Sequence, residues 1–116
     1  MIWPFRRSGP ALRQISPEQA RREIGRSDVQ LVDVREDYEY RHCRIEGSVH
    51  IPLGQLLRGG EGALDPSKEI ICCCHHGFRS SRAGQYLLAR GFEKVLNLQG
   101  GIHAWSLEVD PSVPTY

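Results

Sequence analysis

An α/β domain with a mainly parallel sheet, covered by helices on both faces, is the fold class predicted by three features of this 116-residue chain. Short apolar or β-branched runs at 29–34, 49–51, 70–74 and 95–98 alternate with amphipathic stretches, the order that builds parallel strands joined by helical crossovers. Two of these runs end in a charged or reactive side chain, Asp33 and Cys74, as buried parallel strands do at the rim where ligands collect. A glycine-containing loop and an amphipathic helix follow Cys74 directly, so the unpaired N–H groups and positive dipole end of that helix face the same crevice.

The elements follow in order. Residues 1–10 carry two prolines and a glycine and are expected to be irregular, with Trp3 and Phe5 on a frayed end; 11–116 form the domain. Leu12 to Ile15 is a short edge strand. Ser16-Pro17-Glu18-Gln19 reads as an N-cap, a proline at the first helical position and a capping-box glutamine, opening a helix of about two turns that Gly25 stops. Val29 to Val34 is a buried strand. The charged and aromatic residues of 35–44 have helical spacing and are expected to form a solvated helix face. Glu46-Gly47-Ser48 turns the chain into the strand Val49 to Ile51, which Pro52 closes.

Leu53, Leu56 and Leu57 predict a helical turn beneath the sheet, and Gly59-Gly60-Glu61-Gly62 a flexible surface loop. The strand Ile70 to Cys74 leads into the cysteine loop. The helix after Arg79 carries Ala83, Tyr86, Leu87 and Arg90, and Gly91 with Phe92 gives it a Schellman ending. Val95 to Leu98 is a strand, Gln99-Gly100-Gly101 a tight turn, and Ile102, Trp105 and Ser106 begin a last helix that Pro111 and Pro114 keep from continuing.

Composition narrows the function. Fifteen basic residues against fourteen acidic ones give a formal charge of +1, and the arginines are scattered, so the basic stripe of a nucleic-acid binder is missing. No stretch has the length to span a bilayer, and the basic residues near the start follow an apolar patch too short for a signal peptide. Three of the four cysteines are contiguous, which no secreted disulfide framework allows, so a reducing, cytoplasmic setting is expected.

Four separated motifs resemble the rhodanese family of single-domain sulfurtransferases, from Ser16 onward. They are Leu31-Val32-Asp33-Val34-Arg35-Glu36, Ile45 to Leu53, the loop Cys74-His75-His76-Gly77-Phe78-Arg79-Ser80, and Leu98-Gln99-Gly100-Gly101-Ile102-His103-Ala104-Trp105. The ending Val109 to Tyr116, and Cys43-Arg44-Ile45 where many members carry Gly-His-Ile, are similar to rhodanese domains fused to adenylyltransferases that load sulfur onto carrier proteins. The resemblance implies a five-stranded parallel sheet flanked by helices, with the cysteine loop as pocket floor. It also implies that Cys74 takes sulfane sulfur as a persulfide and passes it on. Donors and acceptors would be thiosulfate, cyanide, thiols, a persulfide donor protein or a sulfur carrier protein; no cofactor or metal is called for.

The residues suit that chemistry. An unassisted cysteine is only about 3% thiolate at pH 7, so a nucleophilic one needs donors that favour the anion. Backbone N–H groups of 75–80, curled into a nest at the helix N-terminus, would supply them, and Gly77 lets the backbone come close. Arg79 is expected to organise the loop, hold a sulfonate or pair with Asp33. Ser80 is expected to cap the helix and donate its hydroxyl to the loop, and Phe78 to shape the pocket mouth. His75 and His76 are read as exposed loop side chains whose backbone N–H groups do the main service, the alternative being that they protonate a leaving group or make the pocket electropositive. Asp33 is left open between capping a turn, a structural salt bridge and a supporting catalytic part.

Rival readings have specific weaknesses. Cysteine-dependent phosphatases place five residues between Cys and Arg, whereas four stand here, a ring too tight for phosphate. A zinc site from the string Cys72 to His76 fails because contiguous residues do not wrap a tetrahedral ion. Cys72 and Cys73 alternate to opposite faces as small hydrophobes, and Cys43 is read as a structural thiol rather than a redox partner. A non-catalytic interaction module keeps the fold but has no need of Cys74.

Overall fold

A computed structural model describes residues 11–116; the expected irregular segment 1–10, with Trp3 and Phe5, lies outside the described residues. The strands β1 (Arg13–Ile15), β2 (Val29–Asp33), β3 (Val49–His50), β4 (Glu69–Cys73) and β5 (Val95–Leu98) form one sheet in the order β1-β5-β4-β2-β3. Every pairing is parallel. The helices are α1 (Pro17–Glu23), α2 (Asp37–His42), α3 (Leu53–Leu57), α4 (Phe78–Ala89) and α5 (Gly101–Glu108). None of the described helices is long and apolar enough to cross a membrane.

Strand alternation divides the core into two layers. Ile70, Cys72 and Cys74 face one side, packed with Val32 of β2, Val34 just beyond it, Leu56 of α3, and Ala83 and Leu87 of α4. Ile71 and Cys73 face the other, packed with Ala20, Leu31, Leu98, Ile102 and Trp105 from α1, β2, β5 and α5. Cys72 and Cys73 are thus small apolar fillers, and burial pushes the Cys72 thiol up to about 12 and that of Cys73 well above its ordinary value.

Local chemistry explains the ends of the elements. The Ser16 hydroxyl accepts from the Gln19 N–H at 3.1 Å while the Ser16 N–H donates back to Gln19 Oε1 at 3.2 Å, closing the capping box of α1. At the far end of α4, the Phe92 N–H reaches the Leu87 carbonyl at 3.1 Å and the Gly91 N–H the Leu88 carbonyl at 3.2 Å, the two bonds of a Schellman motif. One loop departs from expectation. Glu61 starts a turn of 3-10 helix at Glu61–Ala63, and its carboxylate accepts from the Tyr86 hydroxyl at 2.8 Å and Arg90 Nε at 2.9 Å. Partners distant in sequence therefore pin the stretch that its glycines suggest is flexible.

The chain leaves β2 toward β3 on one side and β4 toward β5 on the other, so the sheet has its topological switch between β2 and β4. At the carboxyl ends of these two strands Asp33 lies in register with Cys73, and the Val34 N–H continues the ladder to the Cys73 carbonyl at 2.9 Å. Cys74 follows by one residue.

At the opposite end of β4, Glu69 Oε2 is buried without a hydrogen-bond partner among the described residues. Burial, and then the neighbouring Glu23 carboxylate, push the Glu69 carboxyl up to about 7. A folded-state pKa above the unfolded value, about 4.3, stabilises the fold below that value, and the contribution is lost as pH rises through about 7. Glu69→Gln, which supplies an amide donor for Glu23 at every pH, should therefore be more stable than the parent chain at about pH 8. Urea midpoints between about pH 5 and pH 8 should fall in the parent and stay level in the variant; parallel curves would contradict this reading.

Candidate active site

The loop from Cys74 to Gly77 is shaped by what its backbone must avoid. Gly77 has φ 108°, a left-handed conformation that costs other residues about 1–2 kcal/mol, and it forms the N-cap of α4. Across from it, α5 begins at Gly101, whose missing side chain lets the helix end press onto the loop; a Cβ there would strike the carbonyl oxygens of Cys74 and His75. In place of that clash, the Ile102 N–H donates to the Cys74 carbonyl at 2.8 Å and the His103 N–H to the His75 carbonyl at 3.1 Å.

The thiol sits inside this frame, with the residue only 1% exposed. Cys74 Sγ accepts from the Gly77 N–H at 3.1 Å, the Ser80 N–H at 3.3 Å and the Ser80 hydroxyl at 3.3 Å. Ser80 does not cap α4: it lies in the first turn, beyond the Gly77 cap, with its N–H and hydroxyl turned to the sulfur. Its single hydroxyl proton has a second acceptor, Asn97 Oδ1, at 2.6 Å. The Asn97 amide is oriented by its own donations from Nδ2 to the Gly77 carbonyl at 3.1 Å and Gln14 Oε1 at 3.2 Å.

Asp33 and Arg79 are not partners of each other. The buried Asp33 carboxylate receives Arg35 Nε at 2.9 Å and Arg35 Nη2 at 2.7 Å. Arg35 is 0% exposed, and its remaining N–H groups reach the Cys43 carbonyl at 2.7 Å, the Glu39 carbonyl at 3.3 Å and the Tyr116 hydroxyl at 2.8 Å. Arg79 instead forms a two-pronged pair with Glu39, at 2.7 and 3.0 Å. Glu39, 5% exposed, also accepts from the Tyr116 hydroxyl at 2.9 Å, and the Arg79 guanidinium holds its carboxyl down at about 2. The expected solvated face of 35–44 is therefore wrong at Arg35 and Glu39, which turn inward and tie β2, α2, α4 and Tyr116 together.

The remaining loop side chains divide between cleft and wall. Phe78 is 83% exposed and, with Gln14, His76, Gly77, Ser81, Asn97 and Gly100, lines a shallow cleft of about 260 Å³ beside the loop. Cys74 itself does not line that cleft, although His76, Gly77 and Phe78 of its loop do. His75 is half-buried rather than exposed, its ring stacked on Tyr116 at 3.9 Å and 3°. Cys43 is a buried thiol near Arg35 Nη1 and the Pro114 carbonyl. Sequence reasoning missed Asn97, Gln14, Glu39 and Tyr116; a polar residue in the otherwise apolar strand Val95–Leu98 was the available signal for Asn97.

Fold and loop define a class: α/β domains that hold one cysteine among backbone donors at the switch point of a parallel sheet. The chain belongs to the rhodanese-like domain family, whose family model matches residues 16–108. It is 33% identical over 95 residues to the thiosulfate sulfurtransferase GlpE of Glaesserella parasuis, covering 79% of this chain and 84% of that protein. It is 39% identical over 92 residues to a chloroplastic rhodanese-like/PpiC domain-containing protein of Arabidopsis thaliana, covering 77% of this chain but only 31% of that longer relative. A rhodanese-related protein of Thermoplasma volcanium superposes with a TM-score of 0.76 at 30% identity, covering 90% of this chain and 99% of the other. These relatives support a sulfurtransferase-type role.

Proposed function

We propose that the chain transfers sulfane sulfur through a persulfide on Cys74. The observation that carries this reading is the set of three donors on Cys74 Sγ, two backbone N–H groups and one hydroxyl, at the N-terminus of α4. Such donors stabilise a sulfur anion more than a neutral thiol, and they serve the outer sulfur of a persulfide in the same way. With Asn97 holding the Ser80 proton, the Ser80 oxygen can accept from the Cys74 S–H; once the thiol is ionised, the hydroxyl turns to the sulfur. The switch needs no large movement.

In the first half-reaction the Cys74 thiolate attacks the sulfane sulfur of thiosulfate. A bond forms between Sγ and that sulfur, the sulfur–sulfur bond of thiosulfate breaks, and sulfite leaves with the electron pair. In the second, a thiophilic acceptor such as cyanide attacks the outer sulfur and the thiolate leaves, giving thiocyanate and free enzyme. Arg79 serves by holding the loop against α2 through Glu39, and Asp33 by fixing Arg35; neither needs to touch the donor. Cys74 is buried, so a donor must displace part of the surrounding loop to reach Sγ, and the exposed His76 and Phe78 side chains stand in that loop.

Thiocyanate formation from thiosulfate and cyanide tests the proposal. Turnover by the purified chain is the expected result, together with no hydrolysis of an aryl phosphate, since only four residues separate Cys74 from Arg79. Phosphate release dependent on Cys74 would overturn the assignment in favour of a phosphatase. A protein that neither turns over nor accepts sulfur from any persulfide donor would be an interaction module instead.

A further inference from the structure

The three imidazoles of His75, His76 and His103 converge beside the cysteine loop. One ring nitrogen from each lies within 4.8 Å of the other two. The ring centroids of His75 and His76 are 3.9 Å apart, and His103 stands 5.0 Å from His76 and 6.1 Å from His75. Two of the three rings carry a buried nitrogen, His75 Nε2 and His103 Nδ1, with no hydrogen-bond partner among the described residues. Leaving a polar atom buried and unpaired costs about 1–3 kcal/mol, so two such atoms in one cluster call for a ligand that satisfies both.

The backbone brings the rings together. His75 follows Cys74 in the loop, and His103 is carried in from α5 by its own N–H bond to the His75 carbonyl. Tyr116 stacks on His75 from the side and fixes that ring. His76 is exposed and can swing. The set is therefore two positioned ligands and one movable one.

We propose that His75, His76 and His103 form a binding site for a divalent transition-metal cation of the zinc, cobalt or nickel kind. Neutral imidazole nitrogen is the preferred donor for these ions, and three of them leave one position open in a tetrahedral set. Metal–nitrogen bonds of 2.0–2.1 Å place tetrahedral ligand atoms about 3.3 Å apart. Closing from 4.8 Å requires a shift of about 1.5 Å, within reach of a side-chain rotation by His76 with smaller adjustments of His75 and His103. The sequence alone hides this site because His103 stands 27 positions beyond His76. The string Cys72 to His76 is not the ligand set: Cys72 and Cys73 are buried in the core.

Titration of the full, metal-free chain with Zn²⁺ alone by calorimetry and with Co²⁺ alone by visible absorption tests the site. The expected result is one equivalent bound, with the Co²⁺ spectrum of a nitrogen-ligated, four-coordinate ion and no thiolate charge-transfer band. Binding should persist in Cys74→Ser and weaken on the order of tenfold or more in His76→Ala and His103→Ala. Should His103→Ala fail to fold, nitrogen-15 imidazole spectra of the parent chain with Zn²⁺ decide: His75, His76 and His103 should shift while His42 and His50 stay in place. Absence of binding by the parent, loss of binding in Cys74→Ser, undiminished binding in the folded histidine variants, or imidazole shifts confined to other histidines would each overturn the proposal.

Discussion

Replacing Cys74 by serine is expected to reduce thiocyanate formation to the uncatalysed background and to leave the domain folded. A serine hydroxyl is a poor nucleophile toward sulfane sulfur and cannot carry a persulfide. The site otherwise survives, because Gly77 and Ser80 can donate to an oxygen as they do to Sγ. The expected stability change is about 1–2 kcal/mol, the size of one perturbed buried hydrogen bond. Cys72→Ala should keep sulfur loading, since burial holds that thiol at about 12 and thus protonated at neutral pH. Retention of turnover by Cys74→Ser, or its loss in a folded Cys72→Ala, would place the nucleophile elsewhere.

The second large effect is at Arg35. Its guanidinium spends its donors on the Asp33 carboxylate and two backbone carbonyls within a buried layer, and on the part-buried Tyr116 hydroxyl. Arg35→Leu leaves Asp33 charged and unpaired in that layer, and breaking a buried pair from one side costs about 3–5 kcal/mol. Against a total of about 5–15 kcal/mol for a natural domain, this is a large share. Replacing both partners removes the stranded charge, so Asp33→Leu with Arg35→Leu should recover part of the loss. Urea unfolding of the single and double variants measures the coupling; a single-variant loss below about 1 kcal/mol would contradict a structural role for the pair.

Features fixed by neighbouring residues were legible in the sequence. The Ser16–Gln19 capping box, the Gly91 and Phe92 ending of α4 and the glycine turn of the cysteine loop each rest on contacts a few positions long, and the strand Val29–Asp33 shows in its local run of apolar residues. The alternation that sends Cys72 and Cys73 to opposite faces is equally local. What escaped depends on partners brought together by the fold. Arg35 and Glu39 carry charges that read as solvated until Asp33, Arg79 and Tyr116 satisfy them, and Tyr116 lies 81 positions from Arg35. Arg79 was open to Asp33 until Arg35 proved the nearer cation. Ser80 had the composition of a cap but stands within the helix, where α4 turns its hydroxyl toward Cys74 and Asn97.

These long-range ties matter for function because they fix the loop from both sides. Glu39 anchors α4 through Arg79, and α5 anchors the backbone of Cys74 and His75 through Ile102 and His103. A nucleophile whose donors are already in place needs little reorganisation when charge develops on the sulfur.

The central claim is that sulfur rides on Cys74, and intact mass spectrometry of the reduced chain tests it most directly. After exposure to thiosulfate the protein should gain the mass of one sulfur atom, lose it on addition of cyanide or a small thiol, and show no gain as Cys74→Ser. No gain from thiosulfate or a persulfide donor, or an equal gain in Cys74→Ser, would contradict the account.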